Sequence, residues 1–228
     1  MKNLALYLTI NYPNKATFFE VLDVIEQKGI GFVEIGVPVT NPFLDGQVIK
    51  SSQEKVIDSI NHEEIHDTLE LMRKRYTFKI ILMTYYEGVK RYAIDELSPS
   101  LYDGLLCVDK ELDPKGYPGL VHTFTGDMEQ DVLIKRLNDS SEFIYVISGT
   151  GKTGEFATLP TEYVDVIPVI KAHSKLPVLV GFGIKNKSDV ETVIKNGADG
   201  AVIGSEFLHR LNEKGVLGIK EYIHTLCS

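Results

Sequence analysis

Eight short apolar runs, separated by stretches with helical periodicity, limit what this chain can fold into more than any other feature. The runs cover residues 4–10 (LALYLTI), 32–37 (FVEIGV), 79–85 (KIILMTY), 103–109 (DGLLCVD), 120–124 (LVHTF), 143–148 (FIYVIS), 177–183 (PVLVGFG) and 200–205 (GAVIGS). Most are continuous rather than alternating, the mark of parallel strands covered on both faces. Residues 17–28 (TFFEVLDVIEQK) place apolar side chains at 18, 21, 22 and 25, with Thr17 expected as N-cap, Glu20 at capping-box spacing and Gly29 as a stop. Further helical patterns lie at 47–76 (one long or two shorter), 127–137, 162–173, 188–195 (Ser188 as cap, Gly197 as stop) and 216–226. Eight strands alternating with helices favour a (β/α)8 barrel over an open doubly wound sheet. With 228 residues, each unit has about 28, tight for a barrel of this kind. Two units are expected to be shortened: residues 86–101 leave room for only a short helix, and 110–119 (KELDPKGYPG) reads as a loop. No linker or low-complexity tract interrupts the chain, so residues 1–228 read as one domain.

Composition narrows the function. The chain is 43% hydrophobic and 25% charged, close to the globular average. No run approaches the roughly 18 apolar residues of a membrane span, and MKNLALYLTINYPN lacks the features of a signal peptide. Cys107 and Cys227 are too few for a disulfide framework or a structural zinc site, and both fit a reducing cytoplasm. A net charge of -8 disfavours nucleic acid as a partner. It leaves an anionic small substrate open, because a few local donors outweigh a global charge.

Three groups could carry chemistry. In FVEIGVP, Val33, Ile35 and Val37 share one face, while Phe32, Glu34 and Gly36 share the other. If the aliphatic face packs on helices, Glu34 points into the barrel, with Gly36 leaving space for a ligand. The next loop, PVTNPFLDGQ, carries Asp45 just before a helix. At the C-terminal end of a barrel strand, this Asp and Glu34 would face one cavity, one carboxyl buried and raised in pKa, the other ionised. The second group is SGTGKTGEF (148–156). Its Gly149, Gly151 and Gly154 spell G-x-G-x-x-G, but no helix opens directly and no acidic residue follows the next strand. Val146 stands where a P-loop needs Gly. Both nucleotide readings fail, leaving a mobile loop above the sixth strand. The third group is the pair of turns VGFGIKNKSD and VIGSEF, where barrels bind phosphate through backbone amides; Gly183, Gly204, Ser205 and Glu206 are the expected donors. His62, His66, His122, His173, His209 and His224 form no metal-ligand pattern and read as surface or structural residues, so no metal is expected. No lysine stands at a strand end suited to Schiff-base chemistry.

Taken in order, these segments resemble the tryptophan synthase alpha chain family. FVEIGVPVTNPFLDG is similar to the family's Glu-bearing strand followed by P-F-S-D-P-x-A-D-G. LTINYP, ILMTYYE, DGLLCVD, FIYVISGTGKTG, VGFGI and ADGAVIGSE are similar to the ends of the first, third, fourth, sixth, seventh and eighth strands. The resemblance implies a TIM-barrel lyase that cleaves indole-3-glycerol phosphate to indole and glyceraldehyde 3-phosphate. It implies no cofactor in this chain, pyridoxal phosphate belonging to a beta-subunit partner. Glu34 would be the acid/base and Asp45 the partner of the indole N–H. Tyr145 would lie beside the substrate, with Tyr7 and Tyr85 as aromatic lining. Thr153 would order the sixth loop against Asp45. Gly154, Phe182, Gly183, Gly204, Ser205 and Glu206 would hold the phosphate. Thr40 and Asn41 depart from the usual Ser-Asp, Glu87 from the usual Asn, and Asp109-Lys110-Glu111 from the usual D-L-P. The first two departures fall where a beta subunit docks. Two other readings stay open at this point: a non-catalytic relative that binds a phosphorylated ligand or modulates a beta subunit, and a phosphosugar isomerase or epimerase.

Overall fold

The computed structural model describes residues 2–117, 119–149 and 159–227. The elements follow in the order β1 (Leu4–Thr9), α1 (Lys15–Gln27), β2 (Phe32–Gly36), α2 (Gln47–Val56), α3 (His62–Arg75), β3 (Lys79–Thr84), α4 (Tyr86–Arg91) and β4 (Gly104–Cys107). Then come β5 (Thr123–Phe124), α5 (Gln130–Asp139), β6 (Ile144–Ile147), α6 (Val166–His173), β7 (Val178–Gly181), α7 (Lys187–Lys195), β8 (Gly200–Ile203) and α8 (Ser205–Cys227). Every strand pairing is parallel, in the order β4-β3-β2-β1-β8-β7-β6-β5. The ring closes through a parallel bridge between Leu105 and Leu120. There Leu105 N–H donates to Gly119 O (2.7 Å) and Val121 N–H to Leu105 O (3.0 Å). The molecule is a (β/α)8 barrel, as the alternation of runs requires.

Several local expectations need correction. The fifth run does not form one strand. Gly119 O and Val121 N–H bond to Leu105 of β4, while Thr123 and Phe124 pair with β6, so the segment is shared between two neighbours. Thr17 and Ser188 lie inside their helices. Asn14 and Asn186, in extended conformation, are the caps, and Asn186 forms its capping box with Asp189. The 47–76 pattern divides into α2 and α3 around a 3-10 turn at Ile57–Ser59. The 216–226 pattern is present as the second half of α8, after a kink at Gly215 (φ 58°), and the half that opens at Ser205 is an addition to it. The two shortened units are present: α4 has 6 residues, and the described residues between β4 and β5 form turns. No helix among the described residues is long and apolar enough to cross a membrane.

Strand alternation places the core. Ala5, Phe32, Ile81, Leu106, Leu179 and Val202 belong to the cluster inside the ring. Leu6, Val33, Ile35, Leu82 and Val180 belong to the larger cluster packed under the helices. Tyr7 is inward, and its hydroxyl occupies the space beside Gly36: a Cβ there would collide with the Tyr7 ring end. That space therefore holds a side chain of the protein, not a ligand as the sequence led us to expect. Gly181 accommodates the Tyr145 ring in the same way. A Gly36→Ala substitution should consequently displace Tyr7 and destabilise the fold by about 1–3 kcal/mol, the usual cost of overpacking. Urea unfolding of Gly36→Ala, alone and with Tyr7→Phe, checks this; the double variant should recover part of the loss.

Candidate active site

Glu34 is the middle residue of β2, in register with Tyr7 of β1 and Ile81 of β3. The period of two that buries Val33 and Ile35 under the helices turns Glu34 inward. It is 1% exposed, and its Oε1 is buried without a hydrogen-bond partner. Burial pushes its pKa up to about 8, with the nearby Asp45 charge acting in the same direction.

Asp45 lies on the loop between β2 and α2, 2% exposed, and Gly46 rather than Asp45 is the N-cap of α2. Its Oδ2 accepts from the Tyr85 hydroxyl (3.0 Å) and from Gln53 Nε2 (3.3 Å). Burial raises its pKa to about 6, against the pull of Tyr85, Gln53 and Lys50. Two carboxyls are thus treated differently: Glu34 receives no hydrogen bond at Oε1, while Asp45 receives two at Oδ2. Burial without a donor at Oε1 favours the protonated form of Glu34, and the Tyr85 and Gln53 donors favour the charged form of Asp45, the separation that divides acid from base work.

Both groups line a cavity of about 470 Å³, within the range of ligand sites. Its apolar wall includes Met83, Leu106, Ile147 and Val202. The strand order β2-β1-β8-β7 carries the wall from the carboxyls to the turns after β8 and β7. After β7, Phe182 (φ 70°) and Gly183 (φ 77°) adopt left-handed backbone. For Phe182 this costs roughly 1–2 kcal/mol, and Ser148 Oγ holds its carbonyl at 2.6 Å. After β8, Gly204 leads into Ser205, the first residue of α8, so the N-terminus of that helix opens on the cavity. Ser205 Oγ is buried without a hydrogen-bond partner. Glu206 is also at the wall, and Arg210 neutralises it at 2.7 Å. Helix N–H groups, turn amides and an unpaired hydroxyl are groups that can seat an anion.

The residues expected from sequence distribute as follows. Glu34, Asp45, Tyr7, Tyr145, Phe182, Gly183, Gly204, Ser205 and Glu206 all line this cavity. Tyr85 does not. It stands behind Asp45, accepting from Leu44 N–H (3.0 Å) and donating to the carboxylate, so its expected role as aromatic lining gives way to a supporting one. Thr153 and Gly154 lie outside the described residues. Gln53, Lys185 and His209 were missed. His209, expected to be surface or structural, reaches the cavity from α8, four residues after Ser205 on the same helix face, with Glu213 at 3.3 Å. Gln53 had a sequence signal: it interrupts the buried stripe of Ile49 and Val56 on α2. No group of three or more His, Cys, Asp or Glu among the described residues could hold a metal ion.

Comparison with known proteins identifies the family. The family model "Tryptophan synthase alpha chain" matches residues 1–114 and 119–225. The chain is 31% identical over 234 residues to the tryptophan synthase alpha chain of Desulfosudis oleivorans, covering 94% of this chain and 86% of that one. It is 27% identical over 227 residues to that of Archaeoglobus fulgidus, covering 94% and 91%. Among solved structures, it superposes with a TM-score of 0.83 and 25% identity on a chain of the tryptophan synthase a2b2 complex of Pyrococcus furiosus, covering 99% of this chain and 97% of that one. With the family matched along nearly the whole length, and with the barrel those relatives share, this chain belongs to the tryptophan synthase alpha chain family, among the lyases of tryptophan biosynthesis.

Proposed function

We propose that the chain cleaves indole-3-glycerol phosphate to indole and glyceraldehyde 3-phosphate. One observation carries the reading: a carboxyl with an unpartnered Oε1, a carboxylate held by two donors and the turns that can seat an anion all open on one cavity. Protonated Glu34 donates to the ring carbon that bears the side chain, which places positive charge on the ring nitrogen. Ionised Asp45 accepts from that N–H and opposes the charge. The Glu34 carboxylate then takes the proton of the hydroxyl on the adjoining side-chain carbon. The carbon–carbon bond breaks, its electron pair returns to the ring, and the hydroxyl oxygen becomes an aldehyde. Glu34 ends protonated as it began, so one residue serves as acid and then as base, which a pKa near neutrality permits. The amides around Gly183, Gly204 and Ser205 hold the phosphate, and the Arg210 partner keeps Glu206 from repelling it.

The same proposal places the chain in the cytoplasm. Cys107 and Cys227 are free, and burial, followed by Asp109, pushes the Cys107 thiol up to about 12, which leaves it unreactive. A pyridoxal-phosphate beta subunit is the proposed receiver of indole. At the rim where it would dock, Glu87 Oε1 accepts from Thr40 N–H (2.9 Å) and Thr40 Oγ1 (2.8 Å). Two of the unusual residues there, Thr40 and Glu87, thus satisfy each other.

Purified protein should release indole from indole-3-glycerol phosphate, and Glu34→Gln or Asp45→Asn should each lower turnover at least about a hundredfold. If no indole appears, with or without a beta subunit, the proposal is lost, and titration with the phosphate ester then tests a binding role.

The rate should also be bell-shaped in pH. The productive form needs Asp45 charged and Glu34 protonated, so kcat/KM should fall below about pH 6 and above about pH 8; the two midpoints belong to the pair. Stability follows from the same burial. Folding raises the Glu34 midpoint, so the folded state holds this proton more tightly than the unfolded chain. The associated stability is full below the unfolded value of about 4.3 and lost as pH rises through about 8. Glu34→Gln has nothing to ionise and should therefore gain on the wild type between pH 6 and 9 in urea unfolding, whatever its activity.

A further inference from the structure

We propose that Gln53 is a positioning residue for Asp45, its amide fixed so that a donor, never an acceptor, faces the carboxylate. Gln53 lies on α2, 3% exposed, in the helix's buried stripe. Its Oε1 accepts from Val39 N–H at 3.0 Å, and its Nε2 donates to Asp45 Oδ2 at 3.3 Å. A side-chain amide has one acceptor end and one donor end. A backbone N–H can only donate, so Val39 claims the oxygen. The NH2 end is thereby committed to Asp45. Flipping the amide would set two donors against each other at Val39 and two acceptors against each other at Asp45, in a site with little water to relieve either.

Tyr85 repeats the device from the other side. Its hydroxyl accepts from Leu44 N–H (3.0 Å), which directs its own proton to Asp45 Oδ2 (3.0 Å). Two loop N–H groups, at 39 and 44, therefore orient two donors onto one carboxylate oxygen. Oδ1 keeps no hydrogen bond among the described residues and is the oxygen available to a substrate N–H. Gln53 thus fixes both the orientation of the carboxylate and its preference for the charged form. Val39 and Gln53 also tie the start of the loop to α2, so the helix that buries Gln53 sets where Asp45 stands.

The role as catalytic support rests on the cleavage reading, whereas the effect on Asp45 itself does not, and the experiment keeps them apart. Protein carrying carboxyl-13C aspartate is titrated by NMR, with the Asp45 resonance identified by its loss in Asp45→Asn. Gln53→Glu preserves the shape and an acceptor for Val39 but removes the amide donor. Gln53→Met removes both. Without the donor, the Asp45 midpoint should rise by roughly 0.4–1 pH unit in Gln53→Met, the equivalent of one hydrogen bond. It should rise further in Gln53→Glu, where the introduced carboxyl shares the site. The acidic limb of the kcat/KM profile should move by the same amount in each variant. The deciding arm is Gln53→Met, which introduces no charge: an Asp45 midpoint in that folded variant that stays at the wild-type value overturns the proposal. Wild-type protein that releases no indole defeats the cleavage reading instead, and the NMR arm still decides the role of Gln53.

Discussion

The site depends on one constraint: a strand buried on both faces has no neutral place for a carboxylate. In β2 the outward positions are taken by Val33 and Ile35, packed beneath helices. The inward positions are Phe32, Glu34 and Gly36, and the period of two turns Glu34 into the barrel, where it is 1% exposed. Its neighbours in register are a tyrosine and an isoleucine, neither of which neutralises it. The resulting penalty on the charged form is large, and a fold tolerates it where the group has work to do. Removing the charge instead of pairing it is what lets the same group give a proton and then take one.

Asp45 shows the opposite treatment, and the loop explains it. Between β2 and α2 the chain is fastened at three points by side chains from outside the loop: Val39 N–H to Gln53, Leu44 N–H to Tyr85, and Thr40 to Glu87. Each fastener uses a backbone donor of the loop, and the one at Val39 is buried and would otherwise be left unpaired. The loop is thus ordered by the residues that also set the electrostatics of Asp45. Preorganised dipoles of this kind cost no rearrangement during the reaction.

Much of this was legible in the sequence because it follows from spacing. The alternation in FVEIGV gives the inward Glu34, and the glycine-rich ends of the seventh and eighth strands meet at the wall of the same cavity. What was not legible depends on residues distant in the chain. That Tyr85 backs Asp45 from 40 residues away is fixed by the end of β3 and the loop after β2 lying side by side, which no local pattern states. The split of the fifth run follows from ring closure, where Leu120 and Thr123 answer to different neighbours. The caps moved from Thr17 and Ser188 to Asn14 and Asn186 because a cap needs extended backbone, which composition alone does not reveal.

The two ends of the barrel treat carboxylates in opposite ways. At the N-terminal ends of the strands, Asp103 and Asp199 each precede a glycine that begins a strand. Asp103 Oδ2 accepts from Ile80 N–H (2.8 Å) at the start of β3, with Arg73 and with Lys79 at Oδ1 (3.0 Å) around it. Asp199 Oδ2 accepts from Val178 N–H (2.8 Å) at the start of β7, with Lys171 at Oδ1 (2.7 Å). Burial pushes Asp103 up, but the Ile80 N–H, Arg73 and Lys79 together hold it below the ordinary carboxylate range. There each charge is fully answered and the bonds splice adjacent strands. Glu34 lies farther along the same barrel, and its Oε1 is answered by nothing. Saturated carboxylates below and an unsatisfied one facing the upper cavity are what a barrel shows when one face holds the fold and the other performs chemistry.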